Sequence, residues 1–329
     1  MLEEVRSGLY RVTLPTPGDR LDGINCYLFE GEAPLLVDTG FDTEASWRTL
    51  TAAFDSLGLT AGPEMVVTTH GHVDHAGQTG RLRAAYDATV AAHPADALYA
   101  ARPDSKADRL DGLGTWFELN GATAEFLHTL QTQEALLPSL PEVQPAIDVD
   151  RRLVGGETIT AGPYTLEVRW APGHAPGHVC LYDADQDLLL TGDHVLPDTT
   201  PVISMHPYNS SDPLGDYVTS LSRTADLQTD QVLPSHGDPF AAVGTRATEI
   251  LDHHRERMAE IEAVLDSTPA TGWEIAHEIS WSNREFESLG LENTALAVLE
   301  TLAHIEHLRS SSPVSKRFEN GRIEFLLEP

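Results

Sequence analysis

Five times along this chain an apolar, strand-like run stops at a small residue beside a side chain able to hold a metal. LLVDTG ends at Asp38, MVVTTHGHVDH at His70, His72, Asp74 and His75, VRWAPGH at His174, LLLTGDH at Asp193 and VLPSHG at His236. Side chains alternate along an extended segment, so His70 and His72 point to the same side and can grip one ion. Asp74 and His75 follow where the chain turns toward a helix, within reach of a second ion. In α/β proteins, sites are built in the crevice beyond the carboxyl ends of strands. A histidine-rich polar loop accounts for any one of these segments. Their joint recurrence argues for a single site assembled from several strands.

Between these ends the first two-thirds of the chain alternates strands and helices. GLYRVTLP, INCYLFEG and PLLVDTG read as consecutive strands, followed by a helix over Glu44–Leu57. EMVVTTH is the next strand, a helix is expected near Gly77 with RLRAAY as its body, and ATVAAHP is a further strand. Residues 95–141, with Trp116, Phe117, Phe126 and Leu127 among polar and Gly/Pro positions, break the rhythm as a partly helical insertion. YTLEVRW, HVCLYD, DLLLTGDH and QVLPSHG restore strands, with a helix over PLGDYVTSLSRTADL. The amphipathic RATEILDHHRERMAEIEAVLDS then begins a helical region. It continues with helices over Trp273–Ile279 and Asn293–Leu308 and a hairpin turning at Asn320-Gly321, a pair that supplies the positive φ angles of a two-residue turn. Helix, helix and β-wing predict a winged-helix module. The expected division is a catalytic domain over 1–240, a connecting helix over 241–268 and the winged-helix-like domain over 269–329.

Composition narrows the environment. No apolar run reaches the ~18 residues of a membrane span, and the opening MLEEVRSGLY has no apolar core of a secretory leader. Cys26 and Cys180 each sit inside an apolar run, which leaves neither a disulfide framework nor a cysteine zinc site. A reducing cytoplasm and no membrane partner are the expectations. The chain carries 51 acidic against 21 basic residues, a net charge of −30. Spread without a block, these acids describe a halophile-like surface that repels phosphate backbones at low salt.

The ordered set VDTG, HGHVDH, APGH, TGDH and PSHG resembles the metallo-β-lactamase superfamily over roughly residues 8 to 240. The resemblance implies an α/β (α+β) fold, the four-layer αββα sandwich. It implies two Zn2+ per chain, with Fe or Mn as alternatives: one ion held by His70, His72 and His174, the other by Asp74, His75 and His236. Asp193 matches the bridging carboxylate, and Asp38 the buried aspartate that orients the ligands. His178 repeats the Gly-His pair four residues after His174; the resemblance favours His174 as the ligand. His194 should point away from the site if extended, or line the pocket with His178. His93, His128, His277, His304 and His307 have no metal-like neighbours in sequence and read as surface or core histidines.

Such a site implies a hydrolase in which two zincs lower the pKa of a shared water toward ~7 and stabilise an oxyanion. Asp74 would accept and pass on a proton. A histidine at position 72 argues against the di-iron oxidoreductase branch, which usually carries glutamate there; a mononuclear-iron dioxygenase is excluded less firmly. The stretch TGDHVLPDTTPVISMHPYNSSDPLGDY contains no Lys or Arg, which disfavours glutathione thioesters. It resembles instead the branch that includes the mammalian lactamase-like endoribonuclease, as do His254, Arg255 and Arg257, equally readable as a solvated helix face. Residues 269–329 carry five basic residues against ten glutamates, and Asn293–Leu308 carries no Arg or Lys, which argues against nucleic acid as a partner. The expectation is hydrolysis of a small ester, thioester or lactone. Endoribonuclease and winged-helix regulator with a vestigial hydrolase domain are the alternatives, and a homodimer is left open.

Overall fold

The structure is a computed structural model. It describes residues 1–17, 23–96, 106–132, 147–207, 210–281 and 284–328. The chain divides into two compact units, Met1–Arg102 with Gln144–Pro201 and Ser220–Ala247, and Pro103–Val143 with Val202–Thr219 and Thr248–Pro329.

The first unit contains two sheets. One runs in chain order through β1 (Leu2–Arg6), β2 (Leu9–Leu14), β3 (Ile24–Phe29), β4 (Leu35–Val37), β5 (Met65–Val67), β6 (Thr89–Ala92) and β7 (Arg151–Arg152). It is antiparallel as far as β4 and parallel from β4 to β7. The other has β8 (Thr158–Ala161), β9 (Tyr164–Trp170), β10 (Val179–Asp183), β11 (Leu188–Gly192) and β12 (Gln231–Pro234) in the order β12-β11-β10-β9-β8, with only β11–β12 parallel. The strand period of two explains why every residue of β3 is buried: Tyr27 and Phe29 join Leu166, Val168, Leu181 and Leu190 between the sheets. Cys26 and Leu28 face the other way, toward Leu50 and Phe54 of α1 (Glu44–Ser56). Tyr27 also donates its hydroxyl to the Pro234 carbonyl at 2.7 Å, tying the sheets together beside the strand ends.

Three strands, β1, β7 and β8, have no counterpart in the sequence expectations. β1 (LEEVR) has only two apolar positions because it is an edge strand whose acids face solvent; β7 and β8 are too short to show a period. The helix expected near Gly77 begins four residues earlier, as α2 (Val73–Ala76), and resumes as α3 (Thr79–Tyr86). Gly77 follows α2, and only glycine fits there, because a Cβ would stand 2.3 Å from the Val73 carbonyl oxygen and 2.8 Å from that of Gly40. His72 is thus the N-cap residue, with Asp74 and His75 in the single turn that follows.

The second unit is helical: α4 (Lys106–Leu119), α5 (Ala124–Thr132), the first half of α6 (Pro213–Ala225), most of α7 (Val243–Ser267), α8 (Gly272–Glu278), a 3-10 turn at Phe286–Ser288 and α9 (Leu291–Ser311). The helices of the insertion are therefore observed, while residues 97–105 and 133–141 of it lie outside the described residues. Phe117 and Phe126 from the insertion share a core with Ile275, Val298 and Leu302, so its described helices cluster with the C-terminal segment. A capping box starts α8: Thr271 Oγ1 accepts from the Glu274 backbone N–H, and the Glu274 carboxylate accepts from the Thr271 N–H. After α9 come β13 (Val314–Glu319) and β14 (Arg322–Leu327), paired across Asn320 and Gly321 with φ of 51° and 82°. Among the described residues no helix is long and apolar enough to cross a membrane.

Candidate metal centre

All five strand ends named by the sequence belong to the first unit, and the structure brings their side chains together. Three groups of side chains each bring one ligand atom per residue within 4.8 Å of the others: His70, His72 and His174; Asp74, His75 and His236; and His70, His75 and Asp193. In the first, His72 Nδ1 lies 2.8 Å from His70 Nε2 and 3.1 Å from His174 Nε2. In the second, Asp74 Oδ2 is 3.6 Å from His75 Nε2 and 3.4 Å from His236 Nε2. The Asp193 carboxylate stands between them, 3.4 Å from His75, 3.6 Å from His174 and 3.6 Å from His236.

The opposite edges of the rings explain why these atoms face inward. Asp38, just past β4, accepts from the Thr69 backbone N–H at 2.7 Å, the Thr69 hydroxyl at 2.9 Å, His75 Nδ1 at 2.8 Å and the Ser235 hydroxyl at 3.1 Å. The Thr69 oxygen in turn accepts from His70 Nδ1 at 3.1 Å, and His236 Nδ1 donates to the Gly23 carbonyl at 3.1 Å. With these nitrogens protonated outward, Nε2 of His70, His75 and His236 presents its lone pair to the cluster. Asp38 holds φ of 60°, a left-handed conformation that a non-glycine residue adopts at a cost and that directs its carboxylate across three segments at once.

Electrostatics divides the cluster in two. Burial, reinforced by the neighbouring imidazoles, pushes His70 well below the ordinary histidine range, and burial together with His174 brings His72 down to about 3. Burial also pulls His75 and His236 down, but Asp193, Asp74 and, for His75, Asp38 more than reverse it. Burial pushes the Asp74 carboxyl up, yet His75 and His236 bring it down to about 2. The carboxylates are thus ionised and the three-histidine group neutral, the donor states that coordination requires, while the carboxylates favour a proton on His75 and His236 that a bound cation would displace from Nε2. His75 Nε2 and Asp193 Oδ1 are buried in the cluster without a hydrogen-bond partner. An all-nitrogen-and-oxygen donor set with such orphaned atoms fits a divalent metal of the zinc type.

The remaining histidines separate by geometry. His178 sits behind the cluster, fully buried, and its Nε2 accepts from the Asp193 backbone N–H at 3.1 Å while its ring stacks on His70. His174, four residues earlier, supplies the nitrogen beside His72. His194 is also fully buried and bonds Thr224 Oγ1 through Nε2 at 3.1 Å, turned toward α6. His93 stacks on Trp170, His128 and His277 lie at the surface, and His307 pairs with Asp212. In the second unit, Arg255 is solvated beside Asp252, whereas His254 is buried against His304 and Arg257 lies over the Trp281 ring.

Sequence reasoning passed over Asp96. It is 3% exposed, and its two oxygens accept from the backbone N–H groups of Gly71 at 2.8 Å and Gly177 at 2.6 Å. The available signal was the glycine in each of HGH and PGH, positions where a side chain would exclude a close neighbour.

Known proteins share the family and the fold. Residues 19–236 match the family model described as the metallo-beta-lactamase superfamily. The chain is 25% identical to the probable metallo-hydrolase YqjP of Bacillus subtilis over 95% of its own length and 96% of that protein. It is 30% identical to the human acyl-coenzyme A thioesterase MBLAC2 over 66% of this chain and 74% of that one. Among solved structures, the metallo-beta-lactamase family protein TTHA1429 of Thermus thermophilus superposes with a TM-score of 0.81 at 29% identity, covering 98% of this chain and 100% of that one.

Proposed function

Since this chain belongs to the metallo-β-lactamase superfamily, we propose that it is a two-metal hydrolase of a small ester, thioester or lactone, with thioesters the favoured class. The observation that carries the proposal is the Asp193 carboxylate, set within 3.6 Å of histidines from both donor groups. His70, His72 and His174 would hold one ion and Asp74, His75 and His236 the other, with Asp193 shared between them. Divalent ions held there would supply Lewis acidity, which would lower the pKa of a water and polarise a carbonyl.

The chain's own residues supply the rest. Asp38 and Thr69 hold the imidazoles in the tautomers that aim their lone pairs inward. Asp74 is held ionised by His75 and His236 and is the most open of the clustered carboxylates, its side chain 17% exposed. It can accept a proton from the attacking water and pass it to the leaving group. A thiolate leaving group needs little protonation, so this relay weighs less for a thioester than for an alkyl ester. Thioester preference draws support from the human relative, which is named as an acyl-coenzyme A thioesterase. Residues 1–240 would carry the catalysis, and 269–329 would form a winged-helix-like domain with a non-catalytic role.

The test is a panel of acyl-coenzyme A thioesters, aryl esters, lactones and single-stranded RNA, run with wild type, chelator-treated protein and His72→Ala. Thioester turnover that chelation and His72→Ala both abolish, and that Zn2+ restores to the wild type, is the expected result. RNA cleavage that disappears in His72→Ala without any ester or thioester turnover would reverse the assignment.

A further inference from the structure

Asp96 is a buried carboxyl group that the proposed chemistry leaves unused. We infer that it is a positioning residue, setting the spacing between the loop that carries His70 and His72 and the loop that carries His174. One carboxylate oxygen holds the amide of Gly71, which lies between His70 and His72; the other holds the amide of Gly177, three residues beyond His174. The brace extends one step further, because His178, next to Gly177, accepts from the backbone N–H of Asp193. One side chain thus ties two of the segments that build the site through their backbone amides.

The glycines are shaped to this carboxylate. A Cβ on Gly177 would stand 2.7 Å from Asp96 Cγ and 2.8 Å from its Oδ1, and one on Gly71 would stand 3.2 Å from Asp96 Cβ. Glycine at both positions is what lets the carboxylate reach two amides at once. Two N–H donors require two acceptor oxygens, so an ionised aspartate fits and an asparagine, with one acceptor and one donating NH2 group, satisfies only one of them. Burial works against this choice, pushing the Asp96 carboxyl up to about 7 in spite of both hydrogen bonds.

The inference rests on the two-metal reading and can fail separately from it. Zn2+ affinities of the two equivalents are measured by chelator competition in wild type, Asp96→Asn, Asp96→Ala and His72→Ala, with circular dichroism melts on the metal-free proteins. Loss of the brace should weaken one equivalent by about tenfold to a hundredfold and leave the other within twofold, with Asn intermediate between Asp and Ala. In a His72→Ala background, which removes the three-histidine position, Asp96→Asn should change the remaining equivalent by less than twofold. Co2+-loaded Asp96→Asn should also show an altered visible spectrum, which lost stability alone does not produce. Wild type taking up fewer than two equivalents overturns the two-metal reading itself. Two equivalents that both Asp96 variants bind within twofold of wild type overturn only the role of Asp96, as does equal weakening of both equivalents in step with a lowered Tm.

Discussion

His75 Nδ1 lies 2.8 Å from Asp38 Oδ2, and both groups are almost completely buried. The same oxygen takes the hydroxyls of Thr69 and Ser235, which precede His70 and His236 in the chain. One carboxylate thereby sets the orientation of imidazoles arriving from β5 and α2 and the backbone path into His236.

Replacing Asp38 should therefore separate orientation from folding. Asp38→Ala leaves four donors unmatched and puts alanine at a left-handed φ, a loss of about 3 kcal/mol or more in stability. Asp38→Asn tolerates the backbone and keeps one acceptor, so its Tm should fall less while Zn2+ affinity still drops about tenfold to a hundredfold. Melts with and without Zn2+ and a chelator competition check this; unchanged affinity in Asp38→Asn would contradict it.

The two Gly-His pairs give opposite expectations. His174→Ala should cost one bound metal and nearly all turnover. His178→Leu should retain two metals but lose about 1–3 kcal/mol of stability, because the Asp193 N–H loses its acceptor in a buried place. Metal content by mass spectrometry, beside a urea unfolding curve, distinguishes the two.

In the second unit, His304 Nδ1 bonds the Glu300 carbonyl, which leaves its Nε2 to accept from His254 Nδ1 at 2.9 Å. Burial holds His254 down to about 2 and His304 down to about 3. The unfolded chain takes up these protons near the ordinary histidine value, so unfolding gains as pH falls from about 6.5 toward 3, by up to ~1.4 kcal/mol per pH unit for each proton. Glu300, pushed up by burial to about 7, works the other way between pH 7 and its ordinary value. His304→Leu should flatten the loss of stability between pH 6.5 and 4.5 relative to wild type. Urea unfolding at several pH values checks this, and parallel curves would show that the pair does not titrate.

A net charge of −30 repels itself at low ionic strength. Raising KCl from 0.1 to 2 M should increase Tm by about 5 °C or more as screening takes hold. A falling Tm would mean that ion pairs such as Arg11–Glu3 and Arg83–Asp148 contribute more than the repulsion removes.

The site was legible where chemistry and periodicity coincide. His70, Asp193 and His236 each follow an apolar run directly, so strand, strand end and ligand type appear in one short window. His174 and His178 could not be separated by spacing, because both follow Pro-Gly; the turn in which the His178 N–H bonds the Ala175 carbonyl decides which ring faces the cluster. Asp96 was invisible for a different reason. Its partners are backbone amides, which every residue but proline has, and so no side chain in the sequence announces them. Likewise Phe117 and Phe126 stood out among polar positions, but nothing near them in sequence pointed to Ile275 and Leu302 as their partners.

That last pairing bears on how the protein is made. Phe117 is added to the growing chain about 160 residues before Ile275, roughly 8 to 30 s earlier at ordinary rates of synthesis. For that interval the apolar sides of α4 and α5 have no partner from the C-terminal segment, a window in which a chaperone, or another nascent chain, competes for them. Synthesis that stalls before α8 would release a chain holding every residue of the candidate metal centre and lacking the core that buries Phe117.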